Sequence, residues 1–287
     1  MTLMQNDVIP REKRMRIGYS TITWGGVVGT AGGVTSVKDL FYRTNGSTAE
    51  AIRDISLAGY TGTEIFDGNL VDFADNPEQL LGWLRDAQLE LVSVYTGANF
   101  IYGDIIDDEL AKITRAAELA ALFGAKRLVV GGGAKRSSGL RDGDFEALAA
   151  GLDRVVDIAA AHGLESSYHP HLGTIVEGPD DLGRLMSLSK IQFCPDTAHL
   201  AAGGADPEAM IRQHADRLAH VHLKDLDRAT MSFLPLGEGD LDFPGIIRAV
   251  REVGYDSWLM VELDSYDGHP RTAAEISRKY LEALLAE

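Results

Sequence analysis

The fold is read from residues 118–171, ELAALFGAKRLVVGGGAKRSSGLRDGDFEALAAGLDRVVDIAAAHGLESSYHPH, where one structural cycle runs almost twice. An amphipathic run ends at Gly124-Ala125, a β-branched run follows at 127–130, then a glycine-rich turn, a second amphipathic run at 144–162, Gly163-Leu164, and a second strand-like run at 164–169. Glycine just past a helix accepts the left-handed backbone that ends it, and short β-branched runs separated by helical periodicity are the pattern of βαβ units on a parallel sheet. The cycle continues in both directions. Strands are predicted at 16–20, 62–66, 89–95, 127–130, 164–169, 191–196, 219–224 and 258–263, and helices near 47–59, 76–87, 108–123, 144–162, 178–188, 206–214, 243–253 and 272–286. Ser47, Asn76-Pro77 and Asp206-Pro207 give helix start signals, and Gly59-Tyr60 and Gly254-Tyr255 repeat the helix-end signal. Eight strands and eight helices without a polar linker of domain-boundary length predict a single α/β domain, a (β/α)8 TIM barrel over 15–287, behind a flexible leader at 1–14. An open doubly wound sheet is the rival fold, but its nucleotide signature is missing. Residues 26–33 lack both the G-x-G-x-x-G spacing and an immediate helix and read as a flexible active-site loop, while 131–136 lack the Walker spacing and read as a solvated loop.

Composition narrows the partners. The 287 residues are 45% hydrophobic and 24% charged, within the range of globular proteins, and a chain this long buries about three quarters of its unfolded surface. With 27 Lys and Arg against 43 Asp and Glu, the formal net charge is −16, which repels nucleic-acid phosphates and anionic membranes and tolerates metal cations. The single cysteine, Cys194, has no internal disulfide partner. No apolar run reaches the roughly 18 residues of a membrane span, and the first residues have no signal-peptide core, so a cytoplasmic protein acting on a small molecule is expected.

A barrel enzyme carries its chemistry at the C-terminal ends of its strands. Four consecutive predicted strands end in metal-ligand residue types. The fifth ends Tyr168-His169-Pro170-His171, the sixth Pro195-Asp196-Thr197-Ala198-His199, the seventh His220-Val221-His222-Leu223-Lys224-Asp225, and the eighth Val261-Glu262-Leu263-Asp264. Side chains alternate along a strand, so His220 and His222 share a face that points into the barrel or its mouth. Singly, each group reads first as a satisfied core histidine or a carboxylate paired with an arginine; converging from four adjacent strands, they predict a mixed nitrogen and oxygen site for a divalent ion such as Mn²⁺, Co²⁺, Mg²⁺ or Zn²⁺. His162, His214 and His269 lie on helical or loop segments and read as surface residues.

These stretches, with Ile22-Thr23-Trp24-Gly25, Gly62-Thr63-Glu64, His169-Pro170-His171-Leu172-Gly173-Thr174, Leu236-Gly237-Glu238-Gly239, Asp242-Phe243-Pro244-Gly245 and Trp258, run in order over nearly the whole chain. The sequence resembles the xylose-isomerase-like barrel family of sugar isomerases and epimerases, and within it the inosose dehydratase branch. The resemblance implies a metal held by Asp196, His222 and Glu262, with His169 where the sugar epimerases carry a glutamate on the fifth strand. That glutamate and the one matching Glu262 are the two proton-transfer groups of an epimerase. Its replacement points to a metal-dependent lyase that removes the α-proton of a keto-cyclitol or keto-sugar and expels a β-substituent, either water or the aglycone of a 3-keto-glycoside. Mn²⁺ is the expected ion. Glu262, His169 and His171 are the candidate bases. His199 and Lys224 are candidates for hydrogen bonds to substrate hydroxyls or the leaving group, and Trp24 for an apolar wall. Glu64 either binds a hydroxyl or sits in a core ion pair. An aldose–ketose isomerase or epimerase, and a non-catalytic barrel subunit, are the rival functions; a homo-oligomer or a partner subunit is compatible with each.

Overall fold

The computed structural model describes residues 15–25 and 41–286. The predicted leader at 1–14 and the predicted loop at 26–33 lie outside the described residues. Eight parallel strands form the central sheet: β1 (Arg16–Ser20), β2 (Gly62–Phe66), β3 (Glu90–Ala98), β4 (Arg127–Gly132), β5 (Glu165–Tyr168), β6 (Gln192–Phe193), β7 (Val221–Leu223) and, after a two-stranded hairpin β8 (Asp225–Asp227) and β9 (Ser232–Leu234), β10 (Trp258–Val261). Their order is β6-β5-β4-β3-β2-β1-β10-β7. Parallel bridges from Phe193 to Leu218 and from Asp196 to His222 join the two ends, with Ala219 N–H on the Phe193 carbonyl at 3.0 Å and His222 N–H on the Pro195 carbonyl at 2.9 Å. The sheet is thus a closed barrel.

Each strand returns through a helix on the outside: α1 (Thr48–Leu57), α3 (Pro77–Asp86), α4 (Ile106–Leu122), α5 (Asp144–Ala161), α6 (Pro179–Leu188), α8 (Pro207–Gln213), α9 (Phe243–Glu252) and α10 (Pro270–Ala286). Their starts follow the expected chemistry. Ser47 accepts Glu50 N–H, Asp206 accepts Glu208 and Ala209 N–H, and proline opens α3, α6 and α8. The main apolar core lies between strands and helices, built from residues such as Ile52, Ile65, Leu128, Leu152, Phe193 and Leu259. A separate small cluster of Val92, Trp258 and Met260 fills the barrel lumen. Gly62 makes room for it, since a Cβ there would lie 2.5 Å from the Trp258 ring. None of the helices among the described residues is long and apolar enough to cross a membrane.

Three elements differ from the expected alternation. The sixth strand is short because Pro195 brings no N–H to the ladder and Asp196 turns to cap a helix, α7 (Thr197–Ala202), its Oδ1 accepting Ala198 and His199 N–H at 2.9 Å each. A short helix α2 (Asp67–Val71) follows β2. The β8–β9 hairpin occupies the connection after β7, where Asp225 accepts the N–H groups of Leu226, Gly237, Gly239 and Leu241. His214, expected at the surface, is instead buried edge-on against Phe193, because the turn after α8 folds it onto the barrel wall; His162 is half-buried and His269 exposed. The 131–136 segment, expected to be a solvated loop, is partly tied down: β4 runs to Gly132, and Ala134 bridges Thr174.

Candidate active site

The ends of β5, β6, β7 and β10 bring His169, Asp196, His222 and Glu262 together, with one ligand atom from each within 4.8 Å of the others. All four are buried. His169 Nε2 stands 3.4 Å from Asp196 Oδ2, and His222 Nδ1 stands 2.5 Å from Glu262 Oε2. None of these four atoms has a partner in hydrogen-bond geometry. Four buried, unpartnered donor atoms aimed at one point carry a large desolvation cost unless a cation satisfies them, and two imidazoles with two carboxylates suit a divalent ion. The residues present therefore fit a metal. Charge agrees with this. Burial opposes ionisation of Asp196, yet the Lys224 ammonium and His169 outweigh it and hold that carboxyl well below the usual range. Burial also disfavours a charged His222 ring, but Cys194, Glu64 and Glu262 around it outweigh burial and push its pKa well up, so the pocket favours positive charge between His222 and Glu262.

Below this set lies a polar layer in the lumen. Glu64 Oε2 accepts the Ser93 hydroxyl at 2.6 Å and sits 3.2 Å from His222 Nε2 and 3.8 Å from His220 Nε2. A carboxylate only accepts, so His222 carries a proton on Nε2; with an ion bound, Nδ1 would give up its proton and offer its lone pair, the carboxylate–histidine arrangement that orients metal ligands. Glu64 is fully buried and takes the ion-pair place rather than the hydroxyl-binding one. The side-chain alternation that aims His222 at the site puts His220 one layer lower, within 3.3 Å of Ser93 Oγ.

Above the ligands, Lys224 is a buried hub. Its Nζ donates to Glu262 Oε1 at 2.7 Å, Asp264 Oδ1 at 2.8 Å and His199 Nε2 at 3.2 Å, and lies 3.3 Å from Asp196 Oδ2. Burial disfavours the ammonium, but Asp196, Asp264 and Glu262 hold it charged, with its pKa well above the usual value. Because His199 Nε2 accepts from that ammonium, the His199 proton is on Nδ1, which is buried without a partner. The His171 ring lies 3.7 Å from the His199 ring and has the same tautomer for a different reason: its Nδ1 is 2.7 Å from the Leu172 carbonyl, which only accepts, so its Nε2 keeps a lone pair. Burial and the neighbouring His169 push the His171 pKa down to about 4, so the ring is neutral. Two stacked neutral imidazoles thus offer complementary groups, an N–H from His199 and a lone pair from His171.

Trp24 does not provide the expected wall. The short turn after β1 swings its indole outward, where it packs edge-on to Tyr19 and donates Nε1 to Asp54 Oδ2 of α1 at 3.3 Å. The aromatic surface comes from Phe233 on β9, 4.9 Å from both the His199 ring and Lys224 Nζ, with Tyr95 edge-on to His169 at 5.5 Å. The alternation of side chains along Glu262-Leu263-Asp264 would have found Asp264. No sequence signal marked Phe233, because the hairpin that carries it was not legible.

A family model described as xylose isomerase-like TIM barrel matches residues 52–284. The chain belongs to the xylose isomerase-like TIM barrel family. An inosose dehydratase of Lacticaseibacillus casei is 32% identical over 270 residues, covering 82% of this chain and 89% of that protein. Among solved structures, a 3-keto-D-glucoside 4-epimerase from E. coli superposes with a TM-score of 0.69 at 22% identity, over 96% of this chain and 100% of that one. The IolI protein, determined with a zinc atom bound, superposes with a TM-score of 0.73 at 14% identity, over 95% of this chain and 98% of that one. The two solved structures share the fold.

Proposed function

We propose that the chain is a divalent-metal-dependent lyase that removes the α-proton of a keto-cyclitol or keto-sugar and expels a β-substituent, with dehydration of an inosose as the specific reaction and Mn²⁺ as the ion. The observation that carries this is the fifth-strand ligand. It is His169, so one metal-facing glutamate remains, and the other oxygen of that Glu262 is held by Lys224. Epimerisation needs a competent base on each face of the sugar, whereas elimination needs one base and an acid at the leaving group. His169, Asp196, His222 and Glu262 would hold the metal, which supplies Lewis-acid stabilisation of the negative charge that builds on a ketone oxygen as the α-proton leaves. The Nε2 lone pair of His171 accepts the proton. The Nδ1–H of His199 passes its proton to the departing oxygen while the Lys224 ammonium passes one to His199 Nε2, so the ring stays neutral and the β-substituent leaves protonated. Phe233 packs edge-on against the His199 ring and covers that side of it. Similarity to the inosose dehydratase of L. casei supports the same reaction class.

Epimerisation is the second reading, favoured by the unpartnered Oε2 of Glu262. The two are separated by incubating the Mn²⁺-loaded protein with scyllo-inosose, a 3-keto-glucoside and a ketohexose and recording mass spectra. Loss of water from the inosose supports dehydration, release of the aglycone supports the glycoside variant of the lyase, and unchanged masses with a new ketohexose epimer support the second reading.

A further inference from the structure

The glycine-rich segment 131–136 has no nucleotide-binding spacing, yet its backbone is closely placed against the loop that carries His171. Gly132 and Gly133, at φ 99° and 98°, turn the chain back from β4 in a conformation that side chains rarely adopt. The turn lets the Gly132 carbonyl accept the Tyr168 hydroxyl at 3.0 Å, the Gly133 carbonyl accept Ile175 N–H at 3.0 Å, and Ala134 bridge Thr174 antiparallel. Next along the strap, the Lys135 ammonium forms an ion pair with Glu177 Oε2, while Glu177 Oε1 accepts Gly173 N–H at 2.7 Å. Thr174 completes the loop by donating its hydroxyl to the His171 carbonyl at 2.7 Å and its N–H to the same oxygen at 3.2 Å. His171 is therefore suspended between β5 on one side and a tied turn, 171–174, on the other. That turn contains Gly173 at φ 79°, and its N–H is held by Glu177.

We propose that Lys135 and Glu177 are positioning residues for His171: their ion pair fixes the 171–174 turn, keeps the ring's Nδ1–H on the Leu172 carbonyl, and so presents Nε2 to the substrate. The consequence for turnover rests on the reading of His171 as the proton acceptor; the consequence for the ring does not. The pair is partly exposed and touches neither the metal ligands nor the space between them, so its loss leaves metal affinity alone. A displacement of the base by about 1 Å costs up to about a hundredfold in rate.

The test uses the full-length protein. Ring-¹⁵N histidine NMR of the metal-free form, with the His171 signal assigned by its loss in His171→Ala, reads the tautomer without any substrate. The wild type and Lys135→Arg are expected to show the Nδ1–H form. Lys135→Met and Glu177→Gln, each checked for folding by thermal melting, are expected to show an averaged tautomer. In both, water loss from scyllo-inosose falls about 10- to 100-fold in kcat, with KM and Mn²⁺ affinity within about twofold of wild type. An unchanged His171 tautomer in both variants would overturn the positioning role. An averaged tautomer with wild-type turnover, or with a wild type that leaves scyllo-inosose untouched, supports the strap and overturns the role given to His171 or the proposed reaction instead.

Discussion

His169 and His171 sit two residues apart on one strand end, and the structure places them in different surroundings. His169 is fully buried and faces Asp196, whereas His171 is half-buried, held by a backbone carbonyl and stacked on His199. His171→Ala is expected to lower turnover by about 10²- to 10⁴-fold with Mn²⁺ affinity unchanged, the usual worth of a general base, while His169→Ala lowers both; isothermal titration with Mn²⁺ beside steady-state kinetics separates the two. Glu64 lies in the polar layer below the ligands, within 3.2 Å of His222 Nε2. Glu64→Leu removes the acceptor that fixes the His222 ring, so Mn²⁺ affinity is expected to fall about 10- to 100-fold, measured by the same titration. An unchanged affinity would mean that His222 is oriented by packing alone.

At the scale of elements, two of the three insertions that the periodicity did not reveal are each organised by one aspartate, Asp225 or Asp67. Asp225 ties the base of the β8–β9 hairpin through four backbone N–H groups, which places Phe233 over the site. Asp225→Ala is expected to cost about 2–3 kcal/mol in urea unfolding and to speed hydrogen exchange at Gly237, Gly239 and Leu241. Asp67 opens α2 and is fully buried, its pKa pushed up to about 7 by burial and only partly offset by the Thr96 hydroxyl at 2.6 Å. Between pH 4 and 7 the folded chain holds a proton that the unfolded chain has released, so stability falls as pH rises through that window. Asp67→Asn keeps the hydrogen bonds without the charge and is expected to gain on the order of 2–4 kcal/mol at pH 8 relative to its effect at pH 4; an equal effect at both would show that Asp67 is not neutral in the fold. The eight strands and eight major helices were legible because each repeats a strong local signal, a β-branched run, a cap and a glycine. The hairpin, α2 and α7 were not, because three-residue strands and five- or six-residue helices are too short for a period to show. The same limit explains Trp24, whose direction is set by a three-residue turn and by Asp54 on a distant helix, and His214, whose burial depends on how α8 meets the barrel wall.

For the whole molecule, the barrel converts sequence alternation into a directional site. Every second residue of β7 and its flanks, His220, His222 and Lys224, faces the lumen at successive heights: a lower polar layer, the ligand layer, and the ammonium hub at the mouth. The ligand set was readable from strand ends alone, because the topology brings four consecutive strand ends to one edge of the barrel. The wiring around it was legible only in part: Glu64 was left between a hydroxyl contact and an ion pair, and Phe233 reaches the set from a hairpin too short for a period to show. The most direct test of a one-base elimination is the ¹H NMR spectrum of scyllo-inosose in D₂O with the Mn²⁺-loaded protein, quenched with chelator before recording. The expected result is loss of the α-proton signal together with the dehydrated product, no reaction when chelator is present from the start, and no interconversion of ketohexose epimers in a parallel sample. An intact inosose beside efficient ketohexose epimer interconversion would contradict it.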